Sequence, residues 1–312
     1  MISKEAQESI KRYRQYASFI SSFYRTPSEI SAWRIGFFRW FINLQGVIGP
    51  KAKGTLKEEV TLGGVKTLKV STPNSDPERI FLYYHGGGYS MGSPKSHYSL
   101  VSYLADISKT TVYVPDYRLG PENKYPAQLE DGVNTYLSLI NDFGYSPNQI
   151  AIGGDSAGGN LALVSTLKLQ ELNQKLPSKL FLLSPWTDLT GEGKSIKENS
   201  KSDPYLSYDN WLNTSLSMKK TVREWYAPNQ NYNDPFISPA FANFVNFPIT
   251  MIQVSDIEIL YSDSLEVASQ MRKGGNKVKV NVYKNLPHVW QIFGFLPESK
   301  KAIREISEFL IS

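Results

Sequence analysis

IAIGGDSAGGNLAL, residues 150–163, is the stretch from which the fold of this chain can be read. Ile150–Ile152 make a short apolar run, and from Leu161 a helical pattern begins. Between them Gly153, Gly154, Ser156, Ala157, Gly158 and Gly159 are all small. Residues of this size permit a sharp turn from a strand straight into a helix, where bulkier side chains would block the passing backbone. Gly154-Asp155-Ser156-Ala157-Gly158 also fits the pattern G-x-S-x-G. A serine at such a turn sits in strained backbone geometry, with the amides of a helix N-terminus beside its hydroxyl. The plainer reading is a glycine-rich turn carrying a surface serine, so the surrounding sequence has to decide.

Working outward, the runs RIFLYYH (79–85), TVYVPDY (111–117), QIAIGG (149–154), KLFLLS (179–184), ITMIQVS (249–255) and VKVNVYK (278–284) are almost continuously apolar. That is the signature of parallel strands covered on both faces. Helical patterns lie between them near 96–109, 127–141, 157–174 and 262–273. EEVTLGGVKTLKVSTP (58–73) reads as two further strands joined at Gly63-Gly64, and KKAIREISEFLIS (300–312) has an amphipathic helical period. The alternation predicts an α/β fold with a mostly parallel, doubly wound sheet of about eight strands. Two regions break it. Residues 1–54 look mainly helical, and residues 188–234 form an insertion too long for a structureless loop in a compact domain. The expected organisation is a helical N-terminal cap piece (1–54), a first core part (55–187), a cap insertion (188–234) and a second core part (235–312).

Composition narrows the chemistry. With 312 residues, 41% of them hydrophobic, the chain can bury a sizeable core, and 19 Tyr, 15 Phe and 6 Trp exclude a solvated coil. The absence of cysteine removes disulfides, thiolate metal sites and cysteine nucleophiles together. A membrane span needs about 20 apolar residues. The longest uncharged stretch, Pro235 to Ser255, is interrupted by Pro239, Asn243, Asn246 and Pro248, so no integral membrane segment is expected. The first residues are polar where a secretion signal would be apolar, which makes a cytoplasmic location the default expectation.

A second glycine motif, LYYHGGGYSMGS (82–93), closes the strand at 79–85. Three consecutive glycines present backbone N–H groups without side-chain obstruction. A phosphate-cradling loop is the competing reading. However, no Lys-Ser/Thr follows the glycines, and they do not match a dinucleotide fingerprint. A nucleophilic serine needs a base, and there are three histidines to choose from. His85 heads the glycine loop, where a structural role with the ring bonded inward is expected. His97 opens a helical segment as an exposed or capping residue. His288, in KNLPHVWQIF (284–293), follows the last strand and is left as the base. The acid should come from SDIEILYSDS (255–264). Asp256 and Glu258 would point the same way in an extended segment, and Asp263 begins a helical pattern as a cap or surface residue.

Taken together, His85-Gly86-Gly87-Gly88-Tyr89, PDYRLGPENKYPAQLED (115–131), GDSAGGN (154–160) and LPHVWQ (286–291) resemble the hormone-sensitive-lipase-like family of α/β-hydrolase carboxylesterases. The resemblance runs from about residue 58 to the C-terminus. It implies an α/β-hydrolase fold with a helical cap, Ser156 as nucleophile and His288 as base. In this family the acid lies about thirty residues before the histidine, in a D-P-L-like or E-x-L-like segment. That favours Glu258, in Glu258-Ile259-Leu260, over Asp256, and it departs from the commoner aspartate. The resemblance further implies that the N–H groups of Gly87, Gly88 and Ala157 form the oxyanion hole, and that Asp116 and Arg118 belong to a structural polar network. No metal or organic cofactor is implied. The expected partner is a small-molecule ester with a short to medium acyl chain. An amide or peptide could be cut by the same three residues, and a non-catalytic small-ligand receptor is the reading from another class. Trp211, Trp225 and Tyr205 in the insertion could narrow an acyl pocket or simply pack the cap. An edge strand with the C-terminal helix could support a homodimer.

The formal charge of +5 raises the question of an anionic partner. Residues 1–54 hold nine Lys and Arg against three Glu, and residues 55–312 hold 25 basic against 26 acidic residues. The excess therefore belongs to the N-terminal segment, and no nucleic-acid-binding motif accompanies it. A basic, aromatic helical segment could touch an anionic membrane or steer anionic substrates, while a cap helix with a solvated basic face is the blander expectation.

Overall fold

The computed structural model describes residues 2–11, 32–207 and 211–311. Eight strands form one sheet: β1 (Leu56–Leu62), β2 (Val65–Ser71), β3 (Asp76–Tyr84), β4 (Thr110–Pro115), β5 (Ile150–Asp155), β6 (Lys179–Leu183), β7 (Ile249–Ser255) and β8 (Val278–Tyr283). They lie in the order β1-β2-β4-β3-β5-β6-β7-β8. The β1–β2 hairpin and the β2–β4 pair are antiparallel, and every other neighbour pair is parallel. Gly63 and Gly64, both at positive φ, close the hairpin.

The helices follow as the alternation predicts. Residues 4–11 are helical (α1). The others are α2 (Ala32–Ile48), α3 (Tyr98–Ser108), α4 (Ala127–Asn141), α5 (Ala157–Glu171), α6 (Lys194–Glu198), α7 (Trp211–Lys220), α8 (Tyr261–Lys273) and α9 (Pro297–Ile311). The insertion holds α6, α7 and a π-helical segment, Thr221–Tyr226.

The near-continuous apolar runs are explained by two cores, one on each face of the sheet. Along β3, Ile80, Leu82 and Tyr84 enter one core with residues of α4, α5 and α8, whereas Phe81 and Tyr83 enter the other with residues of α3 and α9. β6 repeats this, with Leu180 and Leu182 on the first face and Phe181 and Leu183 on the second. Each such side chain contributes roughly 1.5–3 kcal/mol by leaving water, so neither face tolerates a polar residue cheaply. Gly153 on β5 is required by packing, because a Cβ there would run into the Phe181 ring.

The topology also says where a site should form. After β3 the chain crosses by α3 on one face, and after β5 it crosses by α5 on the other. The winding therefore reverses between β3 and β5, which are neighbours in the sheet. A crevice opens outside the C-terminal ends of strands at such a reversal. The glycine loop leaves β3 there, and Ser156 follows β5.

Candidate active site

Ser156 joins β5 to α5 with φ 53° and ψ −119°. A non-glycine residue in this region stores about 1–3 kcal/mol of strain, held here by the surrounding bonds. The Ser156 amide donates to the Leu183 carbonyl on β6 (2.9 Å), and the Ser156 carbonyl accepts from Trp186 (3.0 Å). The flanking glycines have a steric cause. A Cβ on Gly154 would strike the Gly158 carbonyl, and one on Gly158 would strike the Tyr84 carbonyl. Ala157 opens α5, so its N–H lies among the first amides of the helix, which have no intrahelical acceptor. Among the described residues Ser156 Oγ has no hydrogen-bond partner, and no bond joins it to His288.

The glycine loop is built as a row of positive φ values: Gly87 at 119°, Gly88 at 60° and Tyr89 at 60°. The Gly87 carbonyl accepts from Ser90 and Met91, which closes the turn. Among the described residues the Gly87 and Gly88 amides donate to no acceptor. Tyr89 is fully buried, stacks on Tyr226 of the insertion with ring centroids 3.9 Å apart, and donates its hydroxyl to Asn160 Oδ1 (2.7 Å).

Asp155, between Gly154 and Ser156, ties this loop to the serine turn. Its Oδ1 accepts from Tyr83 Oη (2.7 Å) and Gly86 N (3.0 Å), and its Oδ2 lies 3.3 Å from His97 Nε2. Burial disfavours the Asp155 charge, but His97 and the Tyr83 hydroxyl outweigh it and hold the carboxyl below its usual range. His97 is therefore not the exposed or capping residue the sequence suggested. It occupies the N-cap position of α3 but makes no capping bond, and its buried ring reaches Asp155. His85 is fully buried, stacks on Tyr117 at 4.3 Å and places Nδ1 2.9 Å from the Gly86 carbonyl oxygen. Burial, aided by His97, pushes His85 down to about 3, so it is neutral at ordinary pH.

Glu258 lies three residues beyond the end of β7, and His288 lies five beyond the end of β8. Glu258 Oε2 is 2.7 Å from His288 Nδ1. Its other oxygen, Oε1, accepts from Ser184 Oγ (2.8 Å) and the Ser255 amide (2.7 Å). Both Glu258 and His288 are buried. Burial alone would lower the His288 basicity, but the Glu258 hydrogen bond and charge reverse this and raise it above the ordinary histidine value. The competing carboxylates go elsewhere. Asp256 Oδ1 accepts from the Asn285 amide (2.8 Å). Asp263 lies in the first turn of α8 but is neither a cap nor a surface residue. It is buried and accepts from the Thr187 and Asp188 amides, and burial, with Asp188 nearby, pushes its carboxyl well above the usual range.

The insertion reaches this corner. Asn199 Nδ2 donates to the Asp256 and Glu258 carbonyls (2.9 and 2.7 Å). Buried Asp203 accepts from the amides of Tyr205, Leu206 and Ile259. The Tyr205 ring lies over His288 with centroids 6.2 Å apart. Trp225 is core rather than pocket lining, packed with Ile35 and Phe38 of α2 and with Met91 after the glycine loop. The side chain of Trp211 lies outside the described residues. Arg39 of α2 donates to the Ser90 and Gly120 carbonyls and pairs with Glu122. Arg118 is part of a polar network, with Nε and Nη2 on Asp131 and a further bond to Glu130. Asp116 is not part of it: its side chain is exposed, and its amide bonds the Lys66 carbonyl.

Four residues here carried no candidate role in the sequence: Asp155, Ser184, Asn199 and Asp203. Asp155 was visible only as the variable letter of G-x-S-x-G. The other three act across 50 or more positions of chain, where no local pattern marks them. Among the described residues no group of three or more His, Asp or Glu is gathered to hold a metal. No helix of the described residues is long and apolar enough to cross a membrane.

Comparison with known proteins adds an independent line. Residues 81–292 match the model of a family with the alpha/beta hydrolase fold. An esterase of Acinetobacter venetianus is 30% identical over 302 residues, covering 96% of each chain. An acetyl-hydrolase of Streptomyces hygroscopicus is 31% identical over 253 residues, 81% of this chain and 82% of that protein. The crystal structure of an esterase from the bacterial hormone-sensitive lipase family is similar with a TM-score of 0.86 at 30% identity, covering 99% of this chain and 98% of the other.

Proposed function

This chain belongs to the α/β-hydrolase family, as a hormone-sensitive-lipase-like carboxylic ester hydrolase, and on that premise we propose that Ser156, His288 and Glu258 form its catalytic triad. The observation that carries the reading is the 2.7 Å contact between His288 Nδ1 and Glu258 Oε2, two residues 30 positions apart at the ends of neighbouring strands. With Nδ1–H donating to an ionised carboxylate, His288 Nε2 keeps its lone pair and can take the Ser156 proton. Ser156 Oγ then attacks the ester carbonyl carbon. The oxyanion is received by the N–H groups of Gly87, Gly88 and Ala157, a reading supported by the Gly87 and Gly88 amides donating to no acceptor among the described residues and by the place of Ala157 at the start of α5. The imidazolium, stabilised by Glu258, protonates the leaving alcohol. Water enters, gives its proton to Nε2, attacks the acyl carbon and releases the acid with the serine regenerated.

Short to medium acyl chains are the proposed substrates, supported by the likeness to a protein named an acetyl-hydrolase. The cap is assigned to α2 with the insertion, on the shared packing of Ile35, Phe38, Met91 and Trp225 beside the glycine loop. A homodimer through the open edge of β8 is part of the same reading, and a purely monomeric species in sedimentation would remove it. The central test uses 4-nitrophenyl esters from acetate to palmitate. Ser156→Ala should lower kcat by about 10⁴-fold or more with an unchanged circular dichroism spectrum. Substantial turnover by that variant would end the triad assignment, and a palmitate optimum would end the chain-length assignment.

A further inference from the structure

Ser184 directly follows β6 and lies beneath the Glu258–His288 pair. It is fully buried, its amide donates to the Gln253 carbonyl of β7 (2.8 Å), and its Oγ donates to Glu258 Oε1 (2.8 Å). Its backbone is in the left-handed region, φ 46°, although it precedes Pro185. A residue before proline is normally driven to extended geometry, and glycine is the side chain that suits this φ. A serine held there against both preferences has a use for its hydroxyl. The use is visible in the contact: a fully buried carboxylate keeps its charge only when its oxygens receive donors. Oε1 receives Ser184 Oγ–H and the Ser255 amide, which leaves Oε2 for His288.

We propose that Ser184 is a positioning residue for ester hydrolysis, fixing the rotamer and the ionised form of Glu258 so that Oε2 faces His288. The proposal rests on Glu258 being the triad acid. The other charged or titratable groups facing the pair are Asp203 and Tyr205 of the insertion and Asp155 of the serine turn. None of them bonds Glu258 Oε1. Losing the Ser184 hydroxyl destabilises the carboxylate and so raises the proton affinity of the Glu258–His288 pair as a unit. Activity needs that pair without the extra proton, so the acidic limb of the pH–rate profile should move to higher pH.

The test compares wild type, Ser184→Ala, Ser184→Gly, Glu258→Ala and the double variant Ser184→Gly/Glu258→Ala, with kcat/KM for 4-nitrophenyl butyrate measured from pH 5 to 9. Ser184→Gly fits the backbone and guards against misfolding of the alanine variant. Each single Ser184 variant should lose about 10- to 100-fold near neutral pH, with the acidic limb displaced upward. In the Glu258→Ala background Ser184→Gly should cost no more than about twofold, because the route through the carboxylate is gone. A loss with an unmoved limb, or an equal loss in both backgrounds, would overturn the role of Ser184. Wild-type activity in Glu258→Ala itself would instead overturn the triad acid.

Discussion

Replacing Asp155 should unfasten the serine turn from the glycine loop, and the size of the effect follows from its three partners. Asp155→Ala takes the acceptor from buried Tyr83 Oη, breaks the contact to His97 Nε2, and leaves the Gly86 amide only its longer contact to His97 Nε2 (3.3 Å). Each unpaired group costs about 1–3 kcal/mol, partly offset because the carboxylate no longer has to be buried. The expected net loss is about 3–5 kcal/mol, or a Tm lower by roughly 5–8 °C for a chain of 312 residues. Asp155→Asn should be milder. Its remaining oxygen can serve Tyr83 and Gly86, and its NH₂ can face His97 Nε2 if the ring proton moves to Nδ1. That nitrogen lies 2.8 Å from Ser96 Oγ, which can accept because it donates onward to the Ser93 carbonyl. A loss of about 1–2 kcal/mol is expected for asparagine. In both variants kcat should fall more than KM changes, because in the proposed mechanism the Gly87 and Gly88 amides act on the transition state. The pH dependence is also fixed in sign. Asp155 is held below the usual aspartate value of about 3.9, so its stabilisation is complete above that pH. It disappears only as pH falls through the lower folded value, where wild type and Asp155→Asn should converge. Thermal unfolding by circular dichroism at pH 7.5 and in steps downward from pH 4, below the usual aspartate value, with steady-state ester hydrolysis at pH 7.5, measures all of this. A Tm for Asp155→Ala within about 1 °C of wild type, or an asparagine variant as damaged as the alanine one, would refute the reasoning.

Two further expectations concern the base and the cap. His288 is raised above the ordinary histidine value of about 6.5 and, as the proposed base, must be neutral to act, so the acidic limb of kcat/KM for the wild type should lie above that value. Glu258→Gln should bring it down, and a wild-type limb below pH 6 would contradict the geometry. Trp225→Ala should lose about 3–5 kcal/mol by opening a cavity among Ile35, Phe38 and Met91. Limited proteolysis should then cut α2 faster than in wild type, and an unchanged digestion pattern would show that α2 is held by other contacts, such as those of Arg39.

The inner strands were legible because burial on both faces leaves a mark along the run, whereas β8, at the sheet edge and nowhere fully buried, was legible from its alternating valines; ITMIQVS and β7 coincide, and the other five runs differ from the observed strands by a few residues at their ends. The hairpin was legible from Gly63-Gly64 and the serine turn from its small residues, since both are local steric demands. His97 and Asp263 were misread for the converse reason. A histidine at a helix start and an aspartate in a first turn look like caps, and only the tertiary packing of α3 and α8 buries them against Asp155 and the Thr187–Asp188 amides. Ser184 was invisible because its φ and its bond to Glu258 are set by a strand end and a loop 74 residues apart. The choice among Asp256, Glu258 and Asp263 could not be made from periodicity, because it turns on which carboxylate a loop bends toward the histidine.

The insertion leaves the sheet after β6, returns before β7, and on the way fastens itself through Asn199 and Asp203 to the loop that bears Glu258. Its two halves are therefore under unlike constraints. Drift in residues 195–206 disturbs the placement of a carboxylate, whereas drift farther along, toward Trp225 and α2, disturbs the packing beside the glycine loop. For anyone exchanging this insertion for a foreign one, the junction belongs after residue 206 rather than at 188. A chimera joined at the earlier point would exchange the anchors Asn199 and Asp203 along with the rest of the insertion.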